Sequence, residues 1–154
     1  MRHFPHSFFD GTSKNNLACA GIVLEIRNLH SFILKMGCGY NTKTRAKLLS
    51  LWSLLFFAEK IGIPNLFIVG DSSAVINWEN EKATLSVLDL GCWCDKITSL
   101  KSSFLSLEFQ HIYREHNQKA DRLSMEALIL ASSLLCFTEF YEGHIIRGGE
   151  TQIF

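Results

Sequence analysis

Several features that would settle the class of this chain at once are missing. There is no excess charge: 15 lysines and arginines face 15 aspartates and glutamates among 154 residues, and charged residues make up 19%. That excludes a polybasic nucleic-acid arm, although a neutral total still permits a local basic patch. No apolar run reaches bilayer length. The two most apolar stretches, 48–58 and 127–137, are short and carry serines, so both are expected as buried or half-buried helices. No secretory leader is visible, since Met1-Arg2-His3-Phe4-Pro5-His6 leads into Phe8-Phe9-Asp10 and not into a sustained apolar core. No C-x-x-C pair occurs. Cys19, Cys38, Cys92, Cys94 and Cys136 are odd in number and irregularly spaced. Reduced structural thiols are therefore expected, in an intracellular setting, nuclear or cytoplasmic and not secreted. No repeat, low-complexity tract or Pro/Gly/Ser-rich linker divides the chain. One domain over residues 1–136 with a short tail, 137–154, that carries no readable motif is the simplest partition.

Hydrophobic residues, at 47%, are plentiful enough for a core of its own and exclude a disordered or collagen-like chain. The first third alternates as strands do. Residues 6–10 lead to a turn at 11–16, then strands over 19–27 and 31–39 follow, separated by a turn around Asn28, which makes an antiparallel meander. From 41 to 62 the apolar positions recur at helical spacing, and Gly62 with Pro64 stops the helix. Leu66, Phe67, Ile68 and Val69 form a brief apolar run, the mark of a strand covered on both faces. Ser72 or Ser73 can cap a short helix through Trp78, residues 85–100 read as another helix, and 105–113 alternates as a strand. Asn117 is expected to cap a last helix reaching about residue 135. Trp52 and Trp78 read as helix-packing residues, and Asp89, Asp95, Glu108 and Glu115 as surface charge. The order βββαβαβα predicts an α/β domain with a mixed five-stranded sheet and helices on its faces.

Three aspartates stand where separate elements can meet. Asp10 ends the strand face that holds Phe8, Asp71 follows the apolar strand directly, and Asp121 lies one turn into the last helix. The carboxyl ends of strands in open α/β sheets are where sites form. Carboxylates held together need cations, and Mg²⁺ suits oxygen ligands; two ions about 3.5–4 Å apart would activate a water and stabilise a leaving phosphate oxygen. Each aspartate also has a local explanation, as turn residue or helix-start residue. Spacing alone leaves both readings open.

The motifs together carry more. Phe8-Phe9-Asp10-Gly11-Thr12-Ser13 is followed by Asn41-Thr42-x-Thr44-Arg45-Ala46-x-Leu48-Leu49-x-Leu51-Trp52. Val69-Gly70-Asp71-Ser72 comes next, and then His111-Ile112-x-Arg114-Glu115-x-Asn117-x-x-Ala120-Asp121-x-Leu123-Ser124. This ordered set resembles the ribonuclease H-like domain, in the type-1 form of plant retroelement-derived reverse-transcriptase-like proteins, over roughly residues 8–135. The resemblance implies an endonuclease that hydrolyses the RNA strand of an RNA–DNA hybrid with two Mg²⁺ or Mn²⁺ ions. Asp10 would bridge both ions, with Asp71 helping to hold one and Asp121 the other. It also implies that His116, in the loop before Asp121, assists proton transfer or product release, or else is a plain solvent-facing histidine. No polymerase motif precedes the first strand, so loss of the other domains of a retroelement ancestor is expected.

One position departs from the resemblance. The family has a glutamate on the first helix, and here the residues are Ala46-Lys47-Leu48-Leu49. Lys47 shares a helical stripe with Leu51, Leu54, Leu55 and Ala58, so it points toward the sheet or snorkels from its end. A protonated lysine cannot ligate Mg²⁺. Glu59 is roughly 18 Å further along the helix and cannot substitute. Metal affinity and hybrid cleavage are therefore expected to be severely reduced. Lys43, Arg45 and Lys47 place positive charge at a helix N-terminus, which suits bound phosphate, so nucleic-acid binding can outlive catalysis. A non-catalytic nucleic-acid-binding relic of a retroelement, or a protein-interaction module, are the alternatives.

Overall fold

The computed structural model describes residues 5–80 and 91–153. Three strands open the chain, β1 (His6–Lys14), β2 (Leu17–Arg27) and β3 (His30–Tyr40). The long helix α1 (Lys43–Lys60) follows, then β4 (Asn65–Gly70), α2 (Ser73–Glu79), α3 (Gly91–Lys101), β5 (Ser106–His111) and α4 (Gln118–Glu126). A hairpin, β6 (Leu134–Tyr141) and β7 (His144–Gln152), closes it. The sheet order is β5-β4-β1-β2-β3-β6-β7. β4 runs parallel to β1 and to β5, and the other neighbours are antiparallel. The mixed α/β sheet with helices on its faces is thus the one expected, with seven strands instead of five.

Local chemistry explains most boundaries. The β1–β2 turn is confined to Asn15 and Asn16, both at positive φ (54° and 65°). Two consecutive left-handed residues are what a tight hairpin matching strand twist requires, and asparagine tolerates them. The turn expected over 11–16 is therefore shorter, and Gly11 lies inside β1. Thr42 caps α1 by accepting from the Arg45 amide at 3.2 Å, and Ser72 caps α2 from the Val75 amide at 3.4 Å. Asn117 precedes α4 without capping it; its side-chain amide instead donates to the Phe9 carbonyl at 3.0 Å.

α1 is buried over most of its circumference: Leu48, Leu49, Leu51, Leu54 and Leu55 are all fully covered. One side meets the sheet and the other meets α3, where Trp52 and Trp93 pack edge to face at 5.5 Å. Leu66, Ile68 and Val69 of β4 are buried, in keeping with a covered central strand. Of the helix expected over 85–100, residues 91–101 are helical, while 81–90, including Asp89, lie outside the described residues. Asp95, Glu108 and Glu115 are exposed. No helix among the described residues is long and apolar enough to cross a membrane. All five cysteines are unpaired.

The last helix is shorter than expected. α4 ends at Glu126, a 3₁₀ turn covers Ala127–Ile129, and Leu130 is extended. Serines at 132 and 133 favour local non-helical hydrogen bonds. Ser133 sits at φ 61° and donates its amide to the Gly37 carbonyl. The apolar run at 134–137 then reads as a strand: Leu135 is buried, and Phe137 packs 5.3 Å from Phe57 of α1. Residues 144–152 pair with it as β7, held by Glu139 between His30 (2.7 Å) and Arg147 (3.0 Å). A short apolar run has no period of its own, which is why 127–137 also fits a helix.

Candidate functional site

Two glycines set the site. A Cβ at Gly11 would stand 2.2 Å from the carbonyl carbon of Ala46 and 2.4 Å from the Lys47 nitrogen, so α1 touches β1 backbone to backbone. A Cβ at Gly21 would stand 2.4 Å from the Ala120 oxygen, so α4 presses equally close on β2. Gly21 pairs with Asp10 across the β1–β2 ladder. Asp10 therefore lies between the start of α1 and the start of α4, and β4, parallel to β1, ends at Gly70 opposite Phe9, with Asp71 next in the chain.

Asp10, Lys47, Asp71 and Asp121 line one cavity of about 330 Å³, together with Lys43 and Arg114. The Lys47 ammonium donates to Asp10 Oδ1 at 2.7 Å and to Asp71 Oδ1 at 3.4 Å. The Lys47 side chain is 16% exposed, against 3% for Asp10 and 5% for Asp71. Asp10 Oδ1 also accepts from the Gly11 amide at 2.9 Å. Burial pushes the Asp10 carboxyl up from its ordinary 3.8 to about 6; Lys47 opposes this, while the neighbouring Asp71 and Asp121 carboxylates add to it. Asp71 Oδ2 is buried with no hydrogen-bond partner.

The surroundings hold these groups in place. His111 Nε2 lies 3.2 Å from the Asp71 carbonyl oxygen, and the Ile112 amide donates to the Gly70 carbonyl. Near Asp121, the Ser124 hydroxyl donates to its carbonyl at 2.6 Å and meets the Thr12 hydroxyl at 2.7 Å, tying α4 to β1. Asn117, 2% exposed, makes a second tie through Phe9. Arg114 and Asn117 entered the sequence reading only as members of a motif, and as a cap in the case of Asn117; the tie to Phe9 has no signature in spacing. Asn117→Ala is expected to cost about 1–2 kcal/mol by losing this buried bond, and to loosen the start of α4. Denaturant unfolding measures it. His116 is exposed and lines a separate hollow with Phe8 and Lys119, outside the acidic cavity.

A two-ion centre does not fit these residues as they stand. An ammonium already occupies the gap between Asp10 and Asp71, and no group of three His, Cys, Asp or Glu among the described residues is arranged to hold a metal ion. The raised Asp10 pKa has a definite consequence for stability. Between about pH 4 and 6 the folded chain holds a proton that the unfolded chain has released, so folding is favoured at the acid end and this contribution is lost as pH rises to 6. Asp10→Asn should remove it. The stability of the variant relative to the native chain should rise by about 3 kcal/mol from pH 4 to pH 7, measured by denaturant unfolding at both.

The chain belongs to the reverse transcriptase-like family, whose model matches residues 8–127. Its fold is ribonuclease H-like. Ribonuclease H1 of the halophilic archaeon Halobacterium salinarum is 26% identical, with a TM-score of 0.74 over 84% of this chain and 100% of that one. The N-terminal ribonuclease H domain of a Mycobacterium tuberculosis protein is 23% identical, at a TM-score of 0.70 over 80% and 98%. LC11 ribonuclease H1, isolated from compost by a metagenomic approach, is 24% identical in its complex with an RNA/DNA hybrid, at 0.68 over 80% and 96%. A comparison with curated proteins finds no similar sequence.

Proposed function

We propose that this domain binds RNA–DNA hybrids in the manner of a ribonuclease H and has lost most or all of its metal-dependent cleavage. The carrying observation is the Lys47 ammonium, 2.7 Å from Asp10 and 3.4 Å from Asp71. Asp10, Asp71 and Asp121 line one cavity and, on this reading, are the residues that would ligate two Mg²⁺ or Mn²⁺ ions in a working enzyme. Lys47 replaces the fourth carboxylate and contacts two of the remaining three. An ammonium has no lone pair to offer a metal. Lys43 and Arg114 on the same cavity give a nucleic-acid backbone cationic partners. Choice of hybrid over duplex DNA would come from 2′-hydroxyl contacts in the minor groove.

The structural kinship with a ribonuclease H1 solved on a hybrid supports the binding half of this reading. A retroelement origin is consistent with the reverse transcriptase-like family. Five unpaired thiols suit a reducing intracellular compartment. His116 has no part in the reading, since it lines a different hollow. The test is a labelled hybrid offered to the purified native chain with Mg²⁺ and with Mn²⁺. Salt-sensitive binding with little or no cleavage is expected. Cleavage at the rate of a working ribonuclease H, or no binding at all, contradicts the reading.

A further inference from the structure

Resting on that hybrid-binding reading, we infer that the Lys47 ammonium acts as a built-in cation, so that the cavity takes a backbone phosphodiester without any divalent metal. Lys47 spans two carboxylates from different strands or strand ends, Asp10 in β1 and Asp71 after β4, which is the bridging that a metal would otherwise perform. Its side chain remains 16% exposed and lines the cavity, so the ammonium is not sealed away from an entering anion.

The charge balance points the same way. The cavity is lined by three cations, Lys43, Lys47 and Arg114, and by three carboxylates, Asp10, Asp71 and Asp121. With a glutamate at 47 it would have two cations against four carboxylates, and a phosphate could enter only with added metal. One side chain therefore moves the cavity by two charges, where Coulombic terms are strong because Asp10 and Asp71 are nearly dry. Lys43 and Arg114 make no ion pair among the described residues, so both are available to an incoming anion. They reach the cavity from separate elements, Lys43 from the first turn of α1 and Arg114 from the 3₁₀ turn before α4. Arginine suits two phosphate oxygens at once, and Lys43 shares its helix end with unsatisfied backbone amides. A phosphodiester entering the cavity meets a lining that carries all three cations.

The experiment is fluorescence anisotropy with a short end-labelled RNA–DNA hybrid whose RNA strand is made cleavage-resistant by phosphorothioate linkages, at matched ionic strength, in EDTA and in Mg²⁺. For the native chain the two dissociation constants should agree within about twofold. Lys47→Glu should bind about tenfold or more weakly in EDTA and recover in Mg²⁺. Arg114→Gln should weaken binding in both buffers alike and lower the salt slope by about one. Native binding that tightens about tenfold or more with Mg²⁺ overturns the inference while leaving hybrid binding intact. Equal binding of the native and Lys47→Glu chains in EDTA also overturns it. No native binding in either buffer overturns the hybrid-binding reading and this inference with it. The native arm needs no variant, so a misfolded substitution cannot rescue the idea.

Discussion

Lys47→Glu is expected to give a chain that cleaves the RNA strand of a hybrid in Mg²⁺ at least ~10³-fold faster than the native chain. Metal ions supply several kcal/mol of charge stabilisation in phosphoryl chemistry, and each 1.4 kcal/mol is a decade in rate. The substitution removes the ammonium from Asp10 Oδ1 and Asp71 Oδ1 and adds a fourth carboxylate on the same helix face. Asp71 Oδ2 is buried and unpartnered, so it has no hydrogen bond to surrender to an incoming ion. The variant should also become metal-dependent in stability, because four carboxylates in one cavity repel until an ion binds the folded state. Lys47→Gln separates the two effects of the lysine. It removes the charge without supplying a ligand, so cleavage should stay as low as in the native chain. Gel analysis of an end-labelled hybrid distinguishes the three proteins directly. A Lys47→Glu chain that folds and binds hybrid yet never cuts would mean that a further lesion lies beyond position 47.

Gly11→Ala is expected to have the largest effect on stability, at least about 3 kcal/mol, near the top of the usual range for overpacking. All three atoms nearest the added Cβ belong to α1 backbone, at 2.2–2.4 Å, and backbone cannot swing aside as a side chain can. α1 would have to lift from β1, opening the core around Leu48 and Leu51 and drawing Lys47 away from Asp10. For a domain of this size the melting temperature should fall by roughly 6–12 °C. Gly91→Ala is the matched control. A Cβ there meets nothing within 4 Å and the position opens a helix, so stability should hold or rise by up to about 1 kcal/mol. Thermal melts of the two variants side by side check the pair.

Much of this arrangement was legible in the residues because the elements that build it have strong periods. The stripe from Lys47 through Leu51, Leu54, Leu55 and Ala58 marks the inner face of α1, and those four apolar residues are fully buried. The all-apolar run before Asp71 marks a covered strand, and covered strands in such sheets end where sites form. The motif order then brought three aspartates and Lys47 to one cavity, although nothing in their spacing shows that the ammonium reaches two carboxylates at once. That depends on the close approach permitted by Gly11, which reads in sequence as a turn glycine after Asp10. The C-terminal hairpin was hidden for a different reason. Leu134, Leu135, Cys136 and Phe137 have no period, and their strand exists because β3 offers an open edge and Phe57 a ring to pack on. Asn117 was legible as a polar residue before a helix, which usually means a cap, whereas its amide is committed to the Phe9 carbonyl.

The central claim is that an ammonium fills the place where a divalent ion would sit. Calorimetric titration of Mn²⁺ into the nucleic-acid-free native chain, beside Lys47→Glu, tests it most directly. The native chain should show no saturable uptake under conditions in which the variant binds. Saturable binding by the native chain as tight as that of the variant would contradict the claim.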